Sequence, residues 1–267
     1  MKIDNDERYL ADCLKDFVPA GGGTYQPGFM SLSEVGKNVT LEGVKGLLPS
    51  IDLFLKRINL PLLSMETYTE NNKTEISEQL KEIFTRCGSD KAGPDHCYNL
   101  VYGEVFQKFD KFSPLNILEF GLGSQNPEIP SRMASQYKVG GSHRSYKEYF
   151  PNAQIFGADI DKDSLFNEER IKTSYVDQLK PETFEEMHES FGSPDYDLII
   201  EDGLHSFTAS LNTLNFALKY VKRGGVIVLE DLVNAGNLWN MVFALLKVKG
   251  YTVKLINSCG LMLVVYL

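Results

Sequence analysis

The chain has 267 residues, 43% of them apolar and 24% charged, with a formal net charge of −9 at pH 7. That length suits one large α/β domain, or a domain with an added lobe, and the apolar share is enough for a sizeable core. The acidic balance argues against a nucleic-acid surface, which needs clustered Lys and Arg, and does not favour anionic membranes; no apolar run approaches the roughly 20 residues of a transmembrane helix.

In chain order, the N-terminus MKIDNDERYL lacks the apolar core of a signal peptide. PAGGGTYQPGF (19–29) is rich in turn formers, and LLPSIDLFLKRINLPLL (47–63) is apolar but broken by Pro49 and Pro61. A helix is predicted from about Asn72 to Arg86, with Ile76, Leu80, Ile83 and Phe84 on one face and Gly88 as its stop. Residues 1–86 therefore read as a small, mainly helical N-terminal lobe, serving substrate selection or oligomerisation, and 87–267 as the main domain. Predicted strands follow at 115–120, 153–158, 173–176, 196–201 and 225–230. Between the last two, a helix from Ser206 to about Lys222 carries Phe207, Leu211, Leu214, Leu218 and Val221 on one face and is expected to end at Gly224-Gly225. Apolar strands alternating with helices imply a parallel sheet covered on both faces. The tail departs from this: GYTVKLIN and GLMLVVYL are so close that they pair antiparallel as a hairpin. The four cysteines, Cys13, Cys87, Cys97 and Cys259, form no CxxC pair, so neither a zinc site nor a disulfide framework is expected and a reduced cytoplasm is the default.

Strand LNILEF runs into GLGS, giving Glu119-Phe120-Gly121-Leu122-Gly123. Glycines here allow a tight turn and close approach to a ligand. The dinucleotide fingerprint needs a third glycine where this chain has Asn126. Glu119, two residues before the first glycine, suits a ligand with a cationic amino group, such as the methionine end of S-adenosylmethionine. The second strand ends GADID, placing Asp159 where doubly wound folds bind ribose hydroxyls. Asp161 is a candidate helix cap. Asp177 and Gln178, after the third strand, suit the edge of an adenine.

Two strand ends are acidic: Glu201-Asp202-Gly203-Leu204-His205 and Leu229-Glu230-Asp231-Leu232. In a parallel sheet these strands are neighbours, and their carboxyl ends open on one crevice. Asp202, Glu230 and Asp231 converging there would repel one another unless a hard divalent cation, Mg2+, Mn2+ or Ca2+, or a lysine neutralises them. His205, with an ordinary pKa near 6.5, is placed to act as a general base. His96, His143 and His188 lack such acidic surroundings in the sequence, and His188 is expected on a solvated helix face.

With these residues in hand, the chain from about Cys87 to Leu232 resembles the metal-dependent class I S-adenosylmethionine O-methyltransferases of the mycinamicin and macrolide sugar family. GSDKAGPDHCY (88–98), ILEFGLG (117–123), GGSHRSYKEYFPNAQIFGADID (140–161), VDQ (176–178), DLIIEDGLHS (197–206) and GGVIVLEDL (224–232) occur in that family's order with similar spacing. The resemblance implies a Rossmann-like, mostly parallel seven-stranded sheet with a C-terminal antiparallel hairpin and helices on both faces. It implies Asp202, Glu230 and Asp231 as metal ligands and His205 as catalytic base. It implies Glu119, Gly121, Gly123, Asp159, Asp177 and Gln178 at the cofactor, with Ser89, Lys91 and Ser142 near its methionine end. Leu204 departs from the family's serine, which puts substrate contacts there in question. Residues 124–139 read as a flap over the cofactor. The implied activity is methyl transfer to a hydroxyl of a small molecule, most readily a sugar of an antibiotic, a capsule or a nucleotide-linked saccharide. A catechol-like or phosphate-bearing acceptor, and more remotely an NAD-dependent oxidoreductase, are the alternatives. No nucleic-acid or membrane partner is expected, a homo-oligomer is possible, and the expected location is cytoplasmic.

Overall fold

The computed structural model describes residues 65–93, 96–129, 131–232 and 237–267, together with Leu53, Phe54 and Arg57. The turn-rich stretch 19–29 and nearly all of 47–63 lie outside the described residues. The sheet and the candidate site lie in a unit formed by Leu62–Ala235 and Phe243–Leu267.

The elements in order are β1 (Met65–Thr67), α1 (Glu75–Cys87), α2 (Asn99–Phe106), β2 (Asn116–Phe120), α3 (Gly141–Tyr149), β3 (Gln154–Asp159) and β4 (Ile171–Tyr175). Then come α4 (Pro181–Ser190), β5 (Tyr196–Glu201), α5 (Phe207–Tyr220), β6 (Val221–Leu229), α6 (Asn237–Val248), β7 (Thr252–Asn257) and β8 (Leu261–Tyr266). They build one eight-stranded sheet in the order β1-β7-β8-β6-β5-β2-β3-β4. Only β8 runs against its neighbours, pairing antiparallel with both β6 and β7. The hairpin expected from the tail is therefore present, with its second strand inserted between β7 and the parallel set.

Seven strands were expected and the described residues form eight. The extra one, Met65–Thr67, pairs parallel with Leu255–Asn257 at the sheet edge. It is three residues long with no buried position, so it carries neither the alternation nor the apolar run by which a strand is read from sequence. Helix α1, grouped from sequence with residues 1–86, also belongs to this unit, which begins at Leu62. It starts at Glu75, not Asn72, because Thr74 closes a capping box with Ser77. Gly88, at φ 79°, stops it as expected. Its Leu80 and Phe84 are fully buried against Tyr102, Phe106 and Tyr146. Truncating either to Ala would cost about 2–5 kcal/mol.

The central strands are covered on both sides. Ile117, Leu198, Ile200, Val226 and Val228 join the cluster under α1–α3. On the other face Phe120 meets Phe184 of α4 and Phe216 of α5. Such two-sided burial explains why these strands read as continuous apolar runs.

Helix α5 ends at Tyr220, not at the glycine pair, because Val221 is already extended (φ −75°, ψ 137°) and pairs with Tyr196. Gly224 and Gly225 lie inside β6. His188 is not on a solvated face: it is 4% exposed, stacked 3.8 Å from Tyr220, with Nδ1 3.2 Å from the Tyr196 hydroxyl. The paired rings exclude water from a histidine that the α4 sequence pattern placed outside. Cys97 and Cys259, 162 residues apart, form a disulfide between the segment before α2 and the β7–β8 turn. Only the fold brings them together, which is why their spacing gave no sign of it. Among the described residues no helix is long and apolar enough to cross a membrane.

Candidate active site

The chain leaves β2 in one direction to β3 and β4, and in the other to β5 and β6. The crevice at the carboxyl ends of β2 and β5 is the switch point where open α/β sheets bind ligands. The carboxyl ends of β2, β3, β4, β5 and β6 contribute to it, and they divide it into two halves.

In the first half, backbone N–H groups hold the carboxylates. Asp159 Oδ2 accepts from Leu122 N (2.7 Å) and Oδ1 from Asp161 N (2.8 Å). Burial pushes the Asp159 carboxyl up from its ordinary value, and these two bonds oppose the shift. Asp161 caps the short 3-10 turn Lys162–Ser164 by accepting from Asp163 N (3.1 Å), as expected, and also takes the Ser124 hydroxyl. Asp177 accepts from Leu179 N (3.0 Å) and pairs with Lys180 (2.9 Å). A cleft of about 670 Å³ opens over them, lined among others by Gly121, Gly123, Asp159, Asp177, Gln178 and Leu204. Gly121 has φ 99°, and a Cβ on it would overlap the carbonyl of Asp202. The glycine loop and the β5 end are therefore in backbone contact.

Gln178 borders this cleft, yet its amide serves the protein. Nε2 donates to Glu201 (3.0 Å) and Thr213 (2.9 Å), and Oε1 accepts from Leu204 N (2.9 Å). Glu201, fully buried, also accepts from Gly203 N (3.3 Å) and the Ser210 hydroxyl (2.8 Å). Glu201 and Gln178 thus hold the turn 201–205 from beneath. Gly203 is needed because any side chain there would run into the Gln178 amide.

In the second half, side chains hold the carboxylates. Lys91 is 1% exposed, and its Nζ lies 2.6 Å from Asp202 Oδ2, 2.6 Å from Glu230 Oε2 and 3.0 Å from Glu119 Oε1. Burial alone would lower its pKa; Asp202, Glu119 and Glu230 together hold it well above the ordinary lysine value. Glu119 also takes the hydroxyls of Ser142 and Tyr146 and lies 3.0 Å from His143 Nδ1. The cation that Glu119 meets is thus Lys91 of its own chain. Burial lowers the pKa of His143, which stands beside this carboxylate, contrary to the sequence reading. Glu230 accepts from the Tyr102 hydroxyl, and burial pushes its carboxyl well up against the pull of Lys91. Ser89 is buried and its Oγ accepts from Lys91 N (3.3 Å).

The half-exposed members of this set face a second cleft, of about 980 Å³, whose lining includes Ser89, His96, Ser142, Asp202, His205 and Asp231. His205 Nε2 stands 3.7 Å from Asp202 Oδ1 and 3.9 Å from Asp231 Oδ2. Asp202, His205 and Asp231 each offer a donor atom, all within 4.8 Å of one another. Donors around an octahedral Mg2+ lie about 3–4 Å apart, so this spacing and oxygen-rich chemistry fit a hard cation. Both His205 (φ 55°) and Asp231 (φ 48°) hold left-handed backbone, uncommon for non-glycine residues and concentrated at functional sites. Of the three expected ligands, Asp202 and Asp231 share this trio, while Glu230 faces Lys91 and Tyr102. His96, set aside in the sequence reading, belongs here: its Nε2 is 3.8 Å from Asp231 Oδ1 and its ring stacks on Tyr98, whose hydroxyl donates to Asp231. Its position depends on His96 and Tyr98 reaching across to Asp231 after β6, which no local pattern encodes. Of the segment after Gly123, Ser124 and Ile129 border the first cleft, Met133 and Tyr137 the second, and Ser131 both.

No family model matches the chain. Among curated proteins it is 32% identical over 190 residues to mycinamicin VI 2''-O-methyltransferase of Micromonospora griseorubida, covering 68% of this chain and 43% of that protein. It is 30% identical over 163 residues to demethylmacrocin O-methyltransferase of Streptomyces fradiae, covering 61% and 38%. The matched part thus spans about two fifths of these relatives. Among solved structures, the MycE methyltransferase of the mycinamycin biosynthetic pathway, in complex with Mg, SAH and mycinamycin VI, matches with a TM-score of 0.58 at 24% identity. That match covers 70% of this chain and 53% of the other. The chain has the class I methyltransferase fold, and its curated relatives are O-methyltransferases named for demethylmacrocin, mycinamicin VI and a rhamnosyl tetracenomycin C.

Proposed function

We propose that this protein transfers a methyl group from S-adenosylmethionine to a hydroxyl of a small molecule, with a divalent cation at the acceptor. The observation that carries this reading is the convergence of Asp202, Asp231 and His205 within 4.8 Å beside the glycine-loop cleft. The curated relatives are O-methyltransferases, and the MycE structure holds Mg and SAH.

Asp159 would accept hydrogen bonds from the ribose hydroxyls, and Asp177 would face the adenine edge. The backbone of Gly121 and Gly123, with Ser89 and Ser142, would border the methionine end. Asp202 and Asp231 would hold the cation, with Glu230 behind them. When bound, Mg2+ or a similar ion supplies Lewis acidity that lowers the pKa of an acceptor hydroxyl. His205 Nε2, close to both carboxylates, takes the proton that hydroxyl loses. The glycine loop and the β5 end, in contact at Gly121, fix the distance between donor and acceptor sites. The acceptor is a sugar with adjacent hydroxyls, able to approach both Asp202 and Asp231.

The test is calorimetry and turnover on the full chain. S-adenosylhomocysteine should bind and NAD should not. Methylation of a macrolide glycoside by S-adenosylmethionine should vanish on chelation with EDTA and return with Mg2+. Binding of NAD in place of S-adenosylhomocysteine, or full activity after chelation, would refute the reading.

A further inference from the structure

Lys91 sits where a cofactor-contacting lysine was expected, but its ammonium is enclosed by protein. It touches the carboxylates that end three adjacent strands: Glu119 of β2, Asp202 after β5 and Glu230 after β6. Two of the three ammonium donors go to Asp202 and Glu230 (2.6 Å each), and Glu119 completes the ring as an ion pair at 3.0 Å. Its own segment is tied down, since Lys91 N donates to Ser89 Oγ and Lys91 O accepts from Asn99 N (3.1 Å). The result is directional. Asp202 gives Oδ2 to Lys91, which leaves Oδ1 as the oxygen nearest His205. Glu230 gives one oxygen to Lys91 and the other to Tyr102.

We propose that Lys91 is a positioning residue that shares Asp202 and Glu230 with the divalent ion and so limits how tightly that ion is held. The inference rests on the cation-dependent reading above. Around the crevice stand Glu119, Asp202, Glu230 and Asp231, and Lys91 is an ammonium in contact with the first three. An ion held by Asp202 and Asp231 would share Asp202 with Lys91, a like charge that is itself 1% exposed. The same carboxylates cannot serve both cations fully. A compact lysine suits this arrangement, whereas a planar guanidinium would claim two oxygens of one carboxylate. A side chain present only to fill space would predict otherwise: its loss would loosen the site and weaken the ion.

The experiment is titration of Mn2+ into the full chain saturated with S-adenosylhomocysteine, for wild type and Lys91→Met. The variant should bind Mn2+ at least tenfold more tightly while its methyl-transfer rate falls, because Asp202 is no longer held with Oδ1 toward the cleft. Equal or weaker Mn2+ binding by the folded variant would overturn the inference and leave the proposed function standing. Absence of Mn2+ binding by wild type would instead overturn the cation-dependent reading itself. Removing one partner of a buried charge network is costly. Should Lys91→Met not fold, the charge-matched Lys91→Met/Glu119→Gln protein decides, with at least threefold tighter binding expected and unchanged binding counting against.

Discussion

The two halves of the crevice use the same residue type in opposite ways. On the β3 and β4 side, Asp159 and Asp177 are fixed largely by backbone N–H groups. On the β5 and β6 side, Asp202, Glu230 and Asp231 are fixed by Lys91, Tyr102, Tyr98 and the nearby histidines. Backbone donors are neutral and immobile, so the carboxylates of the first half are preset in the way the proposed ribose and adenine contacts require. Side-chain cations and phenols can exchange partners, so the second half can admit a new cation. The proposed chemistry follows this division, with recognition in the first half and proton and charge handling in the second.

The largest expected effect separates the two halves. His205→Ala should lower methyl transfer by about 10²–10⁴-fold, the usual contribution of a positioned base. Affinity for S-adenosylhomocysteine should stay within about twofold, because the first half does not depend on the imidazole. Comparable losses in turnover and cofactor affinity would show that the halves are not separable in this way.

How well each half was legible in the sequence follows from the same physics. Residues of the first half sit directly after their strands, so the strand pattern alone located Gly121, Asp159 and Asp177. In the second half, Asp202, His205 and Asp231 were found by the same route. Their partners were not. Lys91, Tyr98, Tyr102 and His96 come from a segment and a helix that cross to β5 and β6 from over a hundred residues away, and nothing local marks a long-range ion pair. Expectation placed Lys91 near the cofactor and Glu230 on the metal, whereas in the structure the two face each other. The edge strand Met65–Thr67 and the Cys97–Cys259 link were hidden for a related reason: both are defined by a distant partner, not by their own pattern.

A smaller effect tests the first half. Asp159→Asn keeps the shape but replaces one oxygen, so either Leu122 N or Asp161 N loses its acceptor, and so does any ribose hydroxyl bound there. Hydrogen bonds to a charged acceptor contribute about 1.5–3 kcal/mol. Affinity for S-adenosylhomocysteine should therefore drop about 10–100-fold, read by calorimetry, while Mn2+ affinity stays unchanged. A fall in Mn2+ affinity of the same size would mean that the first half also organises the cation site.

The smallest effect concerns Glu201, which belongs to neither cleft but supports the turn joining them. Burial raises its carboxyl pKa, opposed by His205, Gln178 and Ser210. A carboxyl whose folded pKa lies above its unfolded value, near 4.3, contributes stability that is fully present below the unfolded value. That stability is lost as pH rises through the folded value, because the buried group must then ionise. Glu201→Gln removes the ionisation and keeps the contacts: the amide oxygen still accepts from Gln178 and Gly203 N, and its NH2 can donate to Ser210, whose hydroxyl turns to accept. Below the unfolded pKa the two proteins should unfold at nearly the same temperature. Above it the variant should gain on wild type as pH rises and then level off, the plateau measuring the shift at about 1.4 kcal/mol per pKa unit. Thermal unfolding between pH 4 and 8 reads this directly, and a difference that does not change with pH would show that Glu201 stays ionised in the fold. Turnover in the variant should remain within about threefold of wild type, since the carboxylate's task is to hold the turn under Asp202 and an amide holds it equally well.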